Sequence, residues 1–277
     1  MNRSTMLAAV AAALMGCTMR GGSAAAPLVT ITAHDYGFQL PATVPAGLVR
    51  LELVNQGREL HHVQLMRLAP DKTVAEFQAA IAAGGERFPD WAVPMGGPNG
   101  VEPGDRFTTV QVLPPGEYVV LCIIPSPDGV PHLAKGMMAS FRTAAVEGAV
   151  RTVPARADVT YRLHDYSFGG TGRITPGRRT LRVVNDAGQW HELVLARLEP
   201  GKTAHDLLTW AQSFQGPPPG RFLGGVSGLA HGQEAVMEFD FTPGSYVLLC
   251  FMPDATDGLP HVAHGMVQEL QIEPAGS

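Results

Sequence analysis

Gly116-Glu117-Tyr118-Val119-Val120-Leu121-Cys122 is followed by His132 after nine intervening residues and by Met137 after four more. The same stretch recurs as Gly244-Ser245-Tyr246-Val247-Leu248-Leu249-Cys250, with His261 after ten residues and Met266 after four. A thiol, an imidazole and a thioether thus follow one strand-like apolar run in the same order, twice. Upstream in each copy stands a second imidazole: His61 six residues after Asn55, and His191 six residues after Asn185.

Working outward, the repetition extends over most of the chain. His34-Asp35-Tyr36-Gly37-Phe38 recurs as His164-Asp165-Tyr166-Ser167-Phe168, and Asn55, His61 and Arg67-Leu68 recur as Asn185, His191 and Arg197-Leu198, all offset by 130. The Cys pair is offset by 128 and the second His pair by 129. Self-similarity at a fixed period marks repeated structural units. We read two domains, 27–145 and 154–274, joined near Ala144–Pro154.

The pattern within each repeat is mostly β. Val29–Thr32, Val49–Val54 and Thr108–Leu113 alternate as half-buried strands do, and so do Val159–Leu163, Thr180–Val184 and Ala235–Phe241. Each Gly-x-Tyr run is continuously apolar, as a central sandwich strand is. One helix interrupts each repeat. Thr73-Val74-Ala75-Glu76 reads as a capping box, with Val74, Phe77 and Ile81 on one face. Thr203-Ala204-His205-Asp206 opens the second helix, with Leu207 and Ala211 inward. Gly84–Gly104 and Gly216–Gly232 read as looser Gly/Pro-rich segments. The expected fold is all-β: two tandem Greek-key β-sandwiches, each with one short inserted helix.

A chain of 277 residues, 45% apolar and 16% charged, is sufficient for two cored domains and argues against disorder. Its formal net charge of −5 comes without a basic stripe, so nucleic acid is not an expected partner. Arg3 followed by the apolar run Met6–Gly16 reads as a secretory leader over residues 1–16, too short for a membrane span. Leu14-Met15-Gly16-Cys17 resembles the bacterial lipoprotein cleavage box. Cys17 is therefore the expected lipidation site, residues 17–26 the tether, and the cell envelope the expected location, with a soluble secreted or periplasmic form the alternative. Cys122 and Cys250 then remain as two thiols at matching places in separate repeats. Unpaired thiols in an oxidising compartment are a liability unless something such as a metal holds them.

On these residues each repeat resembles a cupredoxin, the family of plastocyanin and azurin. Asn185-Asp186-Ala187-Gly188-Gln189-Trp190-His191 keeps the plastocyanin arrangement that delivers the first imidazole, and Asn55-Gln56-Gly57-Arg58-Glu59-Leu60-His61 nearly does. The Gly-x-Tyr-x-x-x-Cys strands, the His-x4-Met spacings and the tails Gly136-Met137-Met138 and Gly265-Met266-Val267 match as well. The resemblance implies a type-1 copper site in each repeat: His61, Cys122, His132 and Met137 in the first, His191, Cys250, His261 and Met266 in the second. One Cys, two His and a weak Met are the blue-copper ligand set. The Cys-to-His insertions, Ile123–Pro131 and Phe251–Pro260, are longer than in plastocyanin and closer to those of copper nitrite reductases. His62 and His264 offer alternative ligands. His34, His164, His205 and His231 read as structural or surface residues.

Three readings stay open from the residues: an envelope electron carrier with a redox partner protein, a copper storage or delivery protein, and a metal-free cupredoxin-like interaction module. Leu121 and Leu249 stand where multicopper oxidases and nitrite reductases place a His beside the thiolate, and no His-x-His pair occurs, which disfavours a type-2 or trinuclear copper enzyme. Because each repeat carries a full ligand set, two independent sites, coupled only through the linker, are expected.

Overall fold

The computed structural model describes residues 26–84 and 88–274. The leader at 1–16, Cys17 and nearly all of the tether lie outside the described residues. The first repeat contains strands β1 (Leu28–His34), β2 (Gly37–Gln39), β3 (Thr43–Pro45), β4 (Gly47–Asn55) and β5 (Gln64–Leu68), helix α1 (Val74–Ala82), then β6 (Ala92–Pro94), β7 (Arg106–Leu113), β8 (Gly116–Leu121) and β9 (Met138–Ala144). The second contains β10 (Val159–His164), β11 (Ser167–Thr171), β12 (Gly177–Asn185) and β13 (His191–Leu198), helix α2 (Ala204–Ala211), then β14 (Gly220–Leu229), β15 (Glu234–Phe241), β16 (Gly244–Leu249) and β17 (Val267–Ile272). The all-β expectation holds, strand for strand in the alternating segments.

Alternation decides which side of each strand is buried. Val49, Leu51 and Leu53 of β4 face inward and are fully buried, while Leu48, Arg50 and Glu52 between them are not. The Cys-bearing strands β8 and β16 are central, buried throughout their second halves, and pair on both sides. At their feet Tyr118 donates its hydroxyl to the Pro114 carbonyl and Tyr246 to that of Thr242, each at 2.8 Å, tying the strand to the turn before it. Both helices begin with the expected capping box, Thr73 with Glu76 and Thr203 with Asp206. Phe77 and Leu207 are the residues that anchor them to the sheets.

The repeats are joined by far more than the linker. Each contributes one sheet of its own, β3-β9-β8-β5-β6 and β14-β13-β16-β17, but the remaining strands form one eight-stranded sheet, β11-β10-β12-β15-β7-β4-β1-β2. The junction is the antiparallel pair β15–β7, where Ala235 faces Gln111, Val236 faces Val110 and Met237 faces Thr109. Thr109 and Met237 are themselves equivalents, 128 residues apart, so a local two-fold axis passes between them. Phe107 and Phe239 close this seam with ring centroids 5.0 Å apart, and one apolar core runs through both repeats.

One element departs from the sequence reading. Gly220–Leu229, inside a segment expected to be loose, is a ten-residue strand paired along β13. Its far edge meets the first repeat, where Asn99 N–H donates to Gly225 O, Ser227 N–H to Gly97 O and Gly96 N–H to Gly228 O. Buried by neighbours on both faces, the strand needs no alternation. It needs glycine where backbones touch: a Cβ on Gly225 would lie 2.0 Å from the Leu193 carbonyl oxygen.

Candidate metal centres

Each thiol sits one residue past the end of its central strand, and the chain then loops out and returns. In the first repeat the insertion closes on itself through a Pro125–Pro131 bridge, and His132 N–H bonds back to Ile124 O at 3.0 Å. In the second, Pro253 bridges Pro260 and His261 N–H bonds to Met252 O at 2.9 Å. The extra loop length is therefore spent outside the site. His132 and His261 each open a single 3-10 turn that ends at a left-handed glycine, Gly136 at φ 96° and Gly265 at φ 90°. That turn brings the backbone of Met137 and Met266 back beside that of the cysteine. Cys122 N–H donates to Met137 O and Cys250 N–H to Met266 O, each at 3.3 Å, and both methionines are fully buried.

The first imidazole of each site is held by an asparagine. Asn55 Nδ2 donates to the carbonyls of Glu59 and Val101, both at 2.8 Å, and its Oδ1 accepts from Gly57 N–H. Asn185 does the same with Gln189, Leu229 and Ala187. His61 and His191 are thereby delivered to the thiols.

The donor atoms converge. His61, Cys122 and His132 present one ligand atom each within 4.8 Å of one another, and so do His191, Cys250 and His261; all six residues are buried. His61 Nδ1 lies 3.1 Å from His132 Nδ1, which lies 3.4 Å from Cys122 Sγ. Cys250 Sγ lies 3.8 Å from His191 Nδ1 and 3.4 Å from His261 Nδ1. An ion about 2 Å from each nitrogen and about 2.3 Å from sulfur spans such separations. His62 and His264, the alternative ligands, stand outside these clusters: His62 Nε2 accepts from Ile123 N–H, and His264 pairs with Asp257. His34, His164, His205 and His231 are exposed.

The ring nitrogens that face away from the thiols define the tautomers. His61 Nε2 meets Asp35 Oδ1 at 2.8 Å, and His132 Nε2 meets Glu59 Oε2 at 2.8 Å. A carboxylate accepts only, so the proton sits on Nε2 and the Nδ1 lone pair is free for a metal. His191 Nε2 meets Asp165 at 3.0 Å, but among the described residues His261 Nε2 has no hydrogen-bond partner, the nearest Asp254 oxygen being 3.8 Å away. Tyr36 and Tyr166 brace these carboxylates, donating to Glu59 at 2.9 Å and to Asp254 at 2.6 Å. The sequence reading missed all four carboxylates and both tyrosines. The signal was present for Asp35 and Asp165, in a His-Asp-Tyr repeat with the same 130-residue offset as the imidazoles they partner.

The electrostatics suit metal rather than proton binding. Burial lowers the pKa of His61 and His191, and burial followed by the neighbouring His191 brings His261 down to about 4, so each of these rings takes up a proton less readily than a free imidazole. Burial pushes the Cys122 thiol up to about 12 and raises that of Cys250 well above the usual range. A thiol so placed holds its proton in the metal-free protein and yields it to a cation. Backbone N–H groups of His62 and Glu192 point at the two sulfurs, at 3.5 and 3.4 Å. Among the described residues neither cysteine has a disulfide partner. Two imidazoles and a soft thiolate, with a thioether on the same loop, fit a soft or borderline transition metal.

Fold and ligand order together are cupredoxin-like in each repeat. No protein-family model matches the sequence, and no curated protein matches it either. Among solved structures the chain is similar to dithionite-reduced auracyanin from the photosynthetic bacterium Roseiflexus castenholzii, at 23% identity over 43% of this chain and 96% of that one, with a TM-score of 0.30. It is similar to a multicopper oxidase at 14% identity over 89% and 88% of the two chains, TM-score 0.27. It is also similar to a copper-containing nitrite reductase from Thermus scotoductus at 14% identity, covering 91% of this chain and 63% of that one, TM-score 0.27. Likeness this distant carries no functional inference; the two ligand clusters do.

Proposed function

We propose that the protein binds one type-1 copper ion in each repeat and carries single electrons between partner proteins in the cell envelope. The observation that carries this reading is the convergence of two Nδ1 atoms and one thiol, fully buried, at two equivalent places. Bound copper would supply one-electron chemistry. The chain supplies the rest: His61, His132 and Cys122, or His191, His261 and Cys250, as principal ligands, and Met137 or Met266 as the weak axial group. One N–H donor on each sulfur and carboxylates behind three of the four imidazoles fix the ligands before metal arrives, which keeps rearrangement on electron transfer small. Export and attachment through a lipidated Cys17 belong to this proposal and rest on residues 1–17 alone.

Copper titration of the Cys122→Ser and Cys250→Ser variants tests it. Serine loses the soft donor and does not ionise at neutral pH. The wild type is expected to take up two equivalents with intense thiolate-to-copper absorption, and each variant one. Tight binding without colour would favour storage or delivery. A double variant that still bound two coppers with unchanged colour would refute the assignment.

A further inference from the structure

The residue after the first His ligand differs between the repeats, His62 in one and Glu192 in the other, yet both do the same two things. The backbone N–H of each points at the thiol of its own site. The side chain of each accepts from the amide that follows that thiol: His62 Nε2 from Ile123 N–H at 3.1 Å, Glu192 Oε1 from Phe251 N–H at 2.9 Å. Each is therefore bonded into the ligand loop of its own site at both ends.

Between them stands Asn99. It is buried, and its Nδ2 donates to Glu192 Oε2 at 2.8 Å. The ring of His62 lines the same cavity wall as its amide. Asn99 comes from the first repeat, but its own N–H is bonded to Gly225 of the second. The three side chains share a cavity of about 230 Å³ whose other walls are apolar, among them Val194, Phe222 and Phe251. Buried polar groups are costly unless fully partnered. Here Asn99 and Glu192 are partnered with each other, and with His62 in the same cavity wall the three side chains line the way from one sulfur to the other.

We infer that His62, Asn99 and Glu192 form a side-chain bridge that passes an electron between the two metal centres, making the protein a two-site relay and not a pair of separate carriers. This rests on the copper reading above. Electronic coupling decays more slowly along bonds and hydrogen bonds than across van der Waals gaps, and the bridge offers the former through an apolar wall. The step balances internally: a reduced ion at one site loses one electron, an oxidised ion at the other gains it, and no proton or third reactant takes part. The competing account is that the trio only holds the repeats in register, and the two accounts separate in kinetics.

The experiment uses the full chain loaded with copper in a Met266→Leu background, since the axial change separates the two centres in potential. A fully oxidised sample is reduced by a substoichiometric radical pulse, and redistribution of the electron is followed optically. A first-order phase independent of protein concentration is expected. Asn99→Leu should slow that phase by about tenfold, as hydrogen-bonded links give way to gaps, with both absorption bands and the copper count retained. Glu192→Gln, which keeps an acceptor for Phe251 N–H but turns an NH2 group toward the Asn99 Nδ2 donor, should slow the phase as well. A phase whose rate scales with protein concentration overturns the bridge, as does an unchanged rate in a variant with two intact centres. A variant whose unfolding midpoint falls while its rate holds assigns the trio to register alone, and also overturns it. Absence of the visible bands in the parent protein would instead remove the copper reading, and the bridge with it.

Discussion

Replacing Asn55 with alanine isolates how much of the first site is prebuilt. Asn55 is 1% exposed and makes three hydrogen bonds, two to carbonyls and one from Gly57 N–H. At about 1 kcal/mol net for each bond, Asn55→Ala should destabilise the metal-free protein by about 2–4 kcal/mol. The upper end is softened because Val101 O keeps the His61 N–H as a second partner at 3.1 Å. Asn55→Asp should be worse than alanine although it is nearly isosteric. Ionised aspartate has no donor for the two carbonyls, and its buried charge has no counter-ion there. Urea unfolding with the slope held common to all variants reads the differences. A loss under about 1 kcal/mol for alanine, or an aspartate variant as stable as wild type, would refute the idea that this side chain fixes the His61 loop.

Further outcomes follow from the same geometry. Tyr246→Phe should cost more than Tyr118→Phe, each on the order of 1 kcal/mol. The Pro114 carbonyl keeps Thr143 Oγ1 as a donor at 2.8 Å, whereas the Tyr246 hydroxyl also accepts from Thr242 N–H; thermal melts that reverse the order would contradict it. Gly225→Ala should abolish soluble folded protein, because its Cβ would sit 2.0 Å from Leu193 O, while Gly188→Ala has open space around it and should change stability by less than about 0.5 kcal/mol; unfolding curves for the pair decide. Copper at a thousandfold excess over its Kd should add about 4 kcal/mol per site to stability and raise the melting temperature, and a transition unmoved by saturating copper would favour a metal-free module.

The ligands were legible in the sequence because their side-chain types are chemically scarce and recur in order. Cys122, His132 and Met137 announce themselves by kind, and the second copy removes coincidence. The groups behind them are not scarce. Glu59 and Asp254 are ordinary carboxylates until folding brings them up to His132 and His261. Asn99 lies outside the repeated pattern, so nothing marks it until β14 of the other repeat is placed against it. That strand was itself hidden: Gly224, Gly225 and Gly228 read as loop, and burial on both faces erases the alternation that reveals β4 or β7. The junction of the repeats was illegible for the same reason. Strand pairing between β7 and β15 depends on register across some 120 residues, and local pattern carries no register.

The facing of Thr109 and Met237 across the β7–β15 seam has a consequence for assembly. Equivalent residues opposed about a two-fold axis are the mark of an isologous contact, the kind by which identical subunits pair. The chain is thus a homodimer written on a single polypeptide, its two subunits free to diverge, as His62 and Glu192 have. Cut at the linker, the first repeat would bare the β7 edge, an open row of amides and carbonyls seeking another strand. Its nearest complement would be a second copy of itself, Thr109 against Thr109, so the excised half should dimerise in a concentration-dependent way and rebuild the seam that covalent continuity now makes permanent.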